Sequence, residues 1–141
     1  YWGQTLFAGM KESRYGRRVN IISTSVKNPI PGLGVSNTVR GAMASWSKTL
    51  ASEIAMYGIT VNNVLPGFTM TGRLESLINK KAETREVGEN VIENEMLASI
   101  PAARFADPEE VANAVAFLST PAAAYINGIN LPVDGGRLGC L

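Results

Sequence analysis

Short apolar segments alternate along the chain with longer segments of helical periodicity. Val19–Ile22, Ile59–Leu65 and Ile129–Val133 are short and rich in β-branched residues. Polar and apolar residues do not alternate cleanly in them, which is typical of strands buried on both faces. We therefore predict three strands of a parallel sheet separated by helices, as in an α/β fold.

The longest predicted helix follows the first strand. Ser36 or Asn37 can cap it, and Gly58 is a stop signal after about Tyr57. One side of this helix carries large apolar residues: Val39, Met43, Trp46, Leu50 and Ile54. Another side carries small residues: Gly41, Ala44, Ala51 and Ala55. We expect burial on more than one side, with the sheet on one and a second helix, from another subunit, on the small side.

Other segments also carry helix signals. Tyr1–Ser13 has the pattern of the middle or end of a helix, and 71–100 is charged and weakly periodic, with helices separated by Lys80–Asn90. Asp107, Pro108 and Glu110 form a helix start, because aspartate caps, proline favours the first turn and glutamate completes a capping box. This explanation is preferred to a general-base role for Glu110.

Composition excludes several functions. The 141 residues suffice for one domain and are 45% hydrophobic and 18% charged, an ordinary globular balance. A net charge of +1 gives no electrostatic case for nucleic acid, and the apolar runs are far shorter than the ~20 residues that span a bilayer. The sequence has no histidine, so Ser-His-Asp catalysis and histidine metal sites are excluded, and we expect no metal. A single cysteine, Cys140, fits a reducing, cytoplasmic location.

Two candidate positions follow predicted strands. Ser23 comes after the first strand, and Pro66-Gly67 comes after the second. Ligands bind at the carboxyl ends of parallel strands, so these positions are expected to share a site. The alternative for Ser23 is a strand-end serine that hydrogen-bonds to the loop backbone.

The layout resembles the active-site region of the short-chain dehydrogenase/reductase family, in which a strand ends in a catalytic serine and the next helix carries Tyr-x-x-x-Lys. Here Ser36, thirteen residues after Ser23, takes the tyrosine position, and Arg40 takes the lysine position. Pro66-Gly67-Phe68-Thr69-Met70-Thr71 matches the family's Pro-Gly-x-x-x-Thr. The Ser-Asn-x-x-Arg pattern is similar to a divergent subgroup related to β-ketoacyl-[acyl carrier protein] reductases.

The resemblance implies a site with replaced proton-handling residues. Ser23 would polarise a carbonyl oxygen, Arg40 would hold the nicotinamide ribose, and Ser36 would stand where the family has its phenol. The turn from Pro66 to Thr71, with Gly67 and Phe68, would run along the nicotinamide of NAD or NADP. A serine hydroxyl is a poorer acid than a phenol of pKa ~10, and arginine does not shuttle protons at ordinary pH. Ser36 has an alternative role as the helix cap.

The resemblance also implies a three-layer Rossmann-like, doubly wound parallel sheet of which 1–141 is the C-terminal half. The glycine-rich turn of the first half is not in this sequence, so we expect the missing half in another segment or chain. A stable monomer of 1–141 that unfolds cooperatively would contradict this. Residues 71–101 would cover a small carbonyl or alcohol substrate, and the helix at 36–57 would join a homodimer or homotetramer. The implied function is carbonyl/alcohol hydride transfer; the alternative is a catalytically impaired cofactor-binding or scaffold subunit, and nothing favours a non-redox lyase or epimerase.

Overall fold

A computed structural model describes residues 2–140, with side chains from Thr5 to Cys140; Tyr1 and Leu141, part of the predicted domain, lie outside the described residues. The chain order is α1 (Trp2–Ser13), β1 (Gly16–Ile21), α2 (Gly34–Ile54), β2 (Ile59–Pro66), α3 (Gly72–Arg85), α4 (Glu89–Ala98), α5 (Pro108–Leu118) and β3 (Asn130–Val133). Short 3-10 turns lie at Thr24–Val26, Ala55–Tyr57 and Pro121–Ala123. All three predicted strands are therefore present.

The sheet is parallel throughout, in the order β1-β2-β3. Every residue of β2 except Pro66 is buried, because this strand has a neighbour on each side and helices on both faces. Side chains of α1 and α2 pack with Ile59 and Val61 on one face, whereas α5 packs with Val64 on the other. The predicted three-layer, Rossmann-like α/β fold is confirmed.

The start of α2 differs from the prediction. The helix begins at Gly34 with Leu33 as its N-cap, which makes no side-chain capping bond, so Ser36 is not the cap. Asn37 instead fastens the preceding loop, because its side-chain amide donates to the carbonyl of Ile30 at 2.9 Å. The predicted end is confirmed: a 3-10 turn reaches Tyr57, and Gly58 stops it with a φ of 72°.

The prediction for the faces of α2 is wrong for its small side, whereas Ile54 of the large apolar side is buried against the sheet as expected. Its buried residues are Ala44 and Ala51 from the small side, Ser47, and Ile54 from the large apolar side, so the face that meets the sheet is mixed. Small side chains allow the helix axis to approach β2 closely near Ala44 and Ala51, whereas the large side chain of Ile54 packs with Ile59 and Val61 as the sequence suggested. The large apolar residues Val39, Met43 and Trp46 are 58%, 36% and 44% exposed.

The segment before α5 forms a helical hairpin. Helix α3 continues through Lys80 to Arg85, so the predicted break at Lys80–Asn90 is too long and the real break is 86–88. Glu86 ends α3 in the left-handed conformation, with a φ of 52°. The hairpin has its own core: Leu74, Ile78, Ala82, Ile92 and Met96, with Phe68 and Phe105 packed against it.

The predicted start of α5 is confirmed. Pro108 is the first residue, Asp107 is the N-cap, and the carboxylate of Glu110 accepts the N–H of Asp107 at 2.9 Å. None of the helices in residues 2–140 has both the length and the apolar composition needed to cross a membrane.

Candidate functional site

Ser23 lies just beyond the carboxyl end of β1. Its backbone is extended, and its Oγ accepts the N–H of Ser25 at 3.1 Å, capping the turn at Thr24–Val26. The alternative interpretation of Ser23, a loop-capping serine, is thus observed. A serine hydroxyl also has one O–H donor, which this bond leaves available. Ser23 can therefore cap the turn and donate to a ligand oxygen at once.

Arg40 reaches the same end of β1. Its Nη1 donates to the carbonyl oxygen of Ile21 at 3.3 Å, and the turn at Thr24–Val26 packs against α2. Ser36 lies one helical turn before Arg40 on the same face and is exposed to solvent. The structure therefore brings the Arg40 guanidinium beside the strand end that leads to Ser23.

The turn from Pro66 to Thr71 follows the neighbouring strand end. The N–H of Gly67 donates to Val133 at 2.9 Å, which places the turn against the end of β3. A Cβ on Gly67 would lie 2.7 Å from the Cα of Asp134, far inside van der Waals contact. Close packing of two backbones therefore explains this glycine without any ligand.

Phe68 and Thr71 differ in where their side chains lie. The Phe68 ring packs edge-on against Phe105 at 6.3 Å, and the Arg137 guanidinium lies 4.3 Å above it. Any contact of Phe68 with a cofactor would therefore use its backbone. Thr71 is the exposed N-cap of α3, and its Oγ1 accepts the N–H of Leu74 at 3.4 Å. The N-terminus of a helix of this length favours anions such as phosphate.

An ion pair lies beside the turn, at a cavity of about 90 Å³ lined in part by Phe68, Arg104 and Glu110. Arg104 holds the Glu110 carboxylate with two hydrogen bonds of 2.6 and 2.7 Å. These bonds, with that from the Asp107 N–H, lower the pKa of Glu110 to about 2. Because a general base must titrate near its working pH, Glu110 acts in capping, as the sequence analysis preferred.

The polar side chains under the site were not predicted from the sequence. Asn20, Ser47 and Asn63 form a hydrogen-bonded group between the sheet and α2. The available signal was Asn62-Asn63 inside an otherwise apolar, β-branched segment. Its partners depend on strand register, which the sequence did not provide.

Comparison with known proteins gives consistent matches over nearly the whole chain. A family profile described as Enoyl-(Acyl carrier protein) reductase matches residues 4–137. The 3-oxoacyl-[acyl-carrier-protein] reductase FabG of Vibrio cholerae is 37% identical over 135 residues, which is 94% of this chain and 50% of the relative. The chain spans about half the length of the curated relatives it matches.

Solved structures also match nearly the whole chain. YwfH, an NADPH-dependent reductase involved in bacilysin biosynthesis, superimposes with a TM-score of 0.91 at 27% identity, over 99% of this chain and 53% of that one. NAD+-bound xylitol dehydrogenase gives a TM-score of 0.81 at 31% identity, over 90% and 51%. These two neighbours are named for different nicotinamide coenzymes, NADPH and NAD+.

Proposed function

Since the chain belongs to the short-chain dehydrogenase/reductase family, we propose that it is part of an NAD(P)-dependent oxidoreductase that interconverts a carbonyl group and an alcohol. The relatives named as 3-oxoacyl-[acyl-carrier-protein] reductases support a ketoreductase-like substrate. The single observation that carries the proposal is the grouping of Ser23, Arg40 and the Pro66–Thr71 turn at adjacent strand ends.

The residues present fit the nicotinamide half of a coenzyme. Arg40 offers a planar set of donors suited to ribose hydroxyls or phosphate. The bond to the Ile21 carbonyl engages one of its nitrogens. Thr71 and the first turn of α3 favour an anionic group, and the backbone of Pro66, Gly67 and Phe68 borders the same strand end. When bound, the nicotinamide supplies or accepts the hydride.

Ser23 is proposed to stabilise the substrate oxygen. As the carbonyl carbon gains hydride, its oxygen gains negative charge, and a fixed O–H donor lowers the energy of that state. The bond from Ser25 fixes the Ser23 oxygen beforehand, so little reorganisation is needed. Removing one such donor typically lowers turnover by ~10²–10³-fold.

The proton that completes the alcohol cannot come from a tyrosine phenol at position 36, as it would in the family pattern. Ser36 is exposed, and a serine hydroxyl is too weak an acid to replace a phenol. We propose that water reaching the exposed first turn of α2 supplies it. Positioned acid-base catalysis is typically worth ~10²–10⁴-fold, so a slow enzyme is expected.

The test is hydride transfer by the purified full-length protein against a panel of ketones and alcohols, measured by nicotinamide absorbance. Ser23→Ala should reduce turnover about 10²-fold. Ser23→Thr should retain most of it, because threonine keeps the hydroxyl and tolerates the extended backbone at φ −169°. Equal turnover in Ser23→Ala and the parent would exclude Ser23 as the oxyanion donor.

A second candidate function is a coenzyme-binding or scaffold subunit without turnover. The exposed, weakly acidic Ser36 favours it. Calorimetry that detects coenzyme binding in a protein without measurable turnover would support this candidate over the first. In that case, a large gain of activity in the double variant Ser36→Tyr, Arg40→Lys would show that only the proton relay is lacking.

We also propose that α2 joins two copies of the chain, through the face opposite to the one expected from sequence. Val39, Met43 and Trp46 present a contiguous apolar stripe to solvent, an arrangement common at interfaces. Sedimentation should therefore show a homodimer or homotetramer that Trp46→Ser weakens. An unchanged association constant would place the contact elsewhere.

The helical hairpin 71–101 is proposed to cover the substrate. Its core is separate from the three clusters around the sheet, so it can shift without disrupting them. Hydrogen exchange of α3 and α4 should slow when coenzyme and a ketone are added together. No change in that exchange would contradict a covering role.

A further inference from the structure

Three asparagines lie side by side across the sheet. In the parallel register Asn20 of β1 is opposite Asn63 of β2, which is opposite Asn130 of β3. All three are on the face that α1 and α2 cover, since residues of one register row share a face. Asn63 is 3% exposed, so the row crosses a core in which apolar side chains are the usual occupants.

The amides form one continuous chain of hydrogen bonds. Asn20 donates to the side-chain oxygen of Asn63 at 3.1 Å, and Asn63 donates to that of Asn130 at 2.8 Å. Arg18 Nε donates to the Asn20 oxygen at 3.2 Å. Consecutive bonds of this kind polarise and modestly strengthen one another.

The row has one branch, and it leaves the sheet for α2. The second N–H of the Asn20 amide donates to Ser47 Oγ at 3.0 Å, and Ser47 donates to the Met43 carbonyl at 2.7 Å. Ser47 is 1% exposed and lies at the contact between helix and sheet. Both hydrogens of the Asn20 amide are therefore used, one along the sheet and one toward the helix.

This branch is one of two hydrogen-bonded anchors between β1 and α2. The other is the bond from Arg40 to the Ile21 carbonyl. Arg40 precedes Ser47 by about two helical turns, or about 10 Å. Asn20 lies on β1, and Ser23 follows the end of that strand. The two anchors fix where the first turns of α2 lie along the strand end.

The apolar contacts of this face do not fix that position as sharply. In the N-terminal half of α2 the buried apolar residue is Ala44, whose small side chain makes few dispersion contacts, whereas Ile54 packs against the sheet further along the helix. A hydrogen bond weakens steeply with distance and angle and so defines a position. The Asn20–Ser47 bond is therefore suited to setting the axial position of α2.

We propose that Asn20, through its bond to Ser47, is a positioning residue that sets Arg40 and Ser36 relative to Ser23. The inference rests on the proposed function, because it assigns the position of that site. A misplacement of about 1 Å can cost a catalytic site about 10²-fold in rate. Asn63 orients Asn20 from the other side by accepting the amide hydrogen that does not bond to Ser47.

The experiment compares Ser47→Ala, which removes the branch, with two matched variants. Ser47→Thr keeps the hydroxyl, and Asn130→Val breaks the far end of the row without touching α2. Turnover, coenzyme affinity by calorimetry and melting temperature are measured for each. Fluorescence of Trp46, adjacent to Ser47 and under the Arg18 guanidinium at 4.6 Å, reports helix position in a Trp2→Phe background.

Positioning predicts that Ser47→Ala lowers kcat at least tenfold and shifts Trp46 emission, while Ser47→Thr restores both. Asn130→Val should lower the melting temperature. Its kcat should stay within twofold of the parent's, and its Trp46 emission should equal the parent's within error. If Ser47→Ala and Asn130→Val lose kcat equally for equal loss of melting temperature, the bond is only structural and the inference is wrong. Unchanged kcat in Ser47→Ala overturns it as well.

An inactive parent protein would refute the proposed hydride transfer without deciding the positioning. Coenzyme affinity and Trp46 emission then decide it. A tenfold weaker affinity with shifted emission in Ser47→Ala, both restored by Ser47→Thr, supports the inference. Affinity and emission equal to those of the parent overturn it.

Discussion

Replacing Gly67 with alanine puts a methyl group where the turn after β2 touches the end of β3. The added Cβ would lie 2.7 Å from the Cα of Asp134 and 2.8 Å from its Cβ. Ordinary carbon contacts begin near 3.4 Å, so the two segments would have to separate by several tenths of an ångström. The obstructing atom is backbone and cannot rotate away.

The expected cost follows from this geometry. Overpacking of this kind costs about 1–3 kcal/mol, against a gain of ~0.4–1 kcal/mol because alanine restricts the unfolded chain. A net loss of up to about 2.5 kcal/mol should lower the melting temperature by several degrees. Displacing Asp134 would also disturb its carboxylate, which accepts the N–H groups of Gly136 and Leu138.

Thermal unfolding followed by circular dichroism measures this loss, and Gly72→Ala is the matched control. Gly72 lies in the same segment, and a Cβ there meets nothing within 4 Å. It should therefore be neutral or slightly stabilising. If Gly67→Ala melts at or above the temperature of Gly72→Ala, the packing explanation for Gly67 is wrong, and its role lies in ligand approach.

Three further predictions concern the core and the surface. Leu118→Ala should lower the free energy of unfolding by about 2–5 kcal/mol in urea titrations, since Leu118 is 1% exposed; a loss below 1 kcal/mol would contradict its burial. Ala44→Leu should cost about 1–3 kcal/mol in the same assay because Ala44 faces the sheet, whereas exposed Ala42→Leu should not; the reverse order would reinstate the faces expected from sequence. Because the pKa of Glu110 is lowered in the folded protein, its ionised carboxylate stabilises the fold. This stabilisation is complete above the pKa of ~4.3 in the unfolded chain and is lost as pH falls toward about 2. The melting temperatures of the parent and Glu110→Gln should therefore converge over that range, and a constant difference would refute the linkage.

The sequence predicted the strands well because their apolar, β-branched composition is a local property. It predicted the start of α5 for the same reason, since Asp107 and Glu110 bond within one helical turn. The start of α2 was missed because Leu33 has no capping side chain. Ser36 looked like a cap only because its residue type is common at caps.

The faces of α2 were assigned wrongly for a different reason. Periodicity shows that the helix has two non-polar sides but does not say which one the sheet takes. The close approach of Ala44 and Ala51 depends on the space above β2, which is a tertiary property. The asparagine row was missed similarly, because Asn20 and Asn63 become neighbours only through the strand register.

The connections between strands have a consequence for how the chain folds. Residues 22–58 separate β1 from β2, and 67–129 separate β2 from β3, so each parallel pairing closes a long loop before it gains contacts. Such non-local pairing slows folding, whereas the α3–α4 hairpin joins neighbours in sequence and can form early. The central strand, whose Ile59, Val61, Val64 and Leu65 are unprotected until both loops close, is therefore exposed to aggregation while the protein folds.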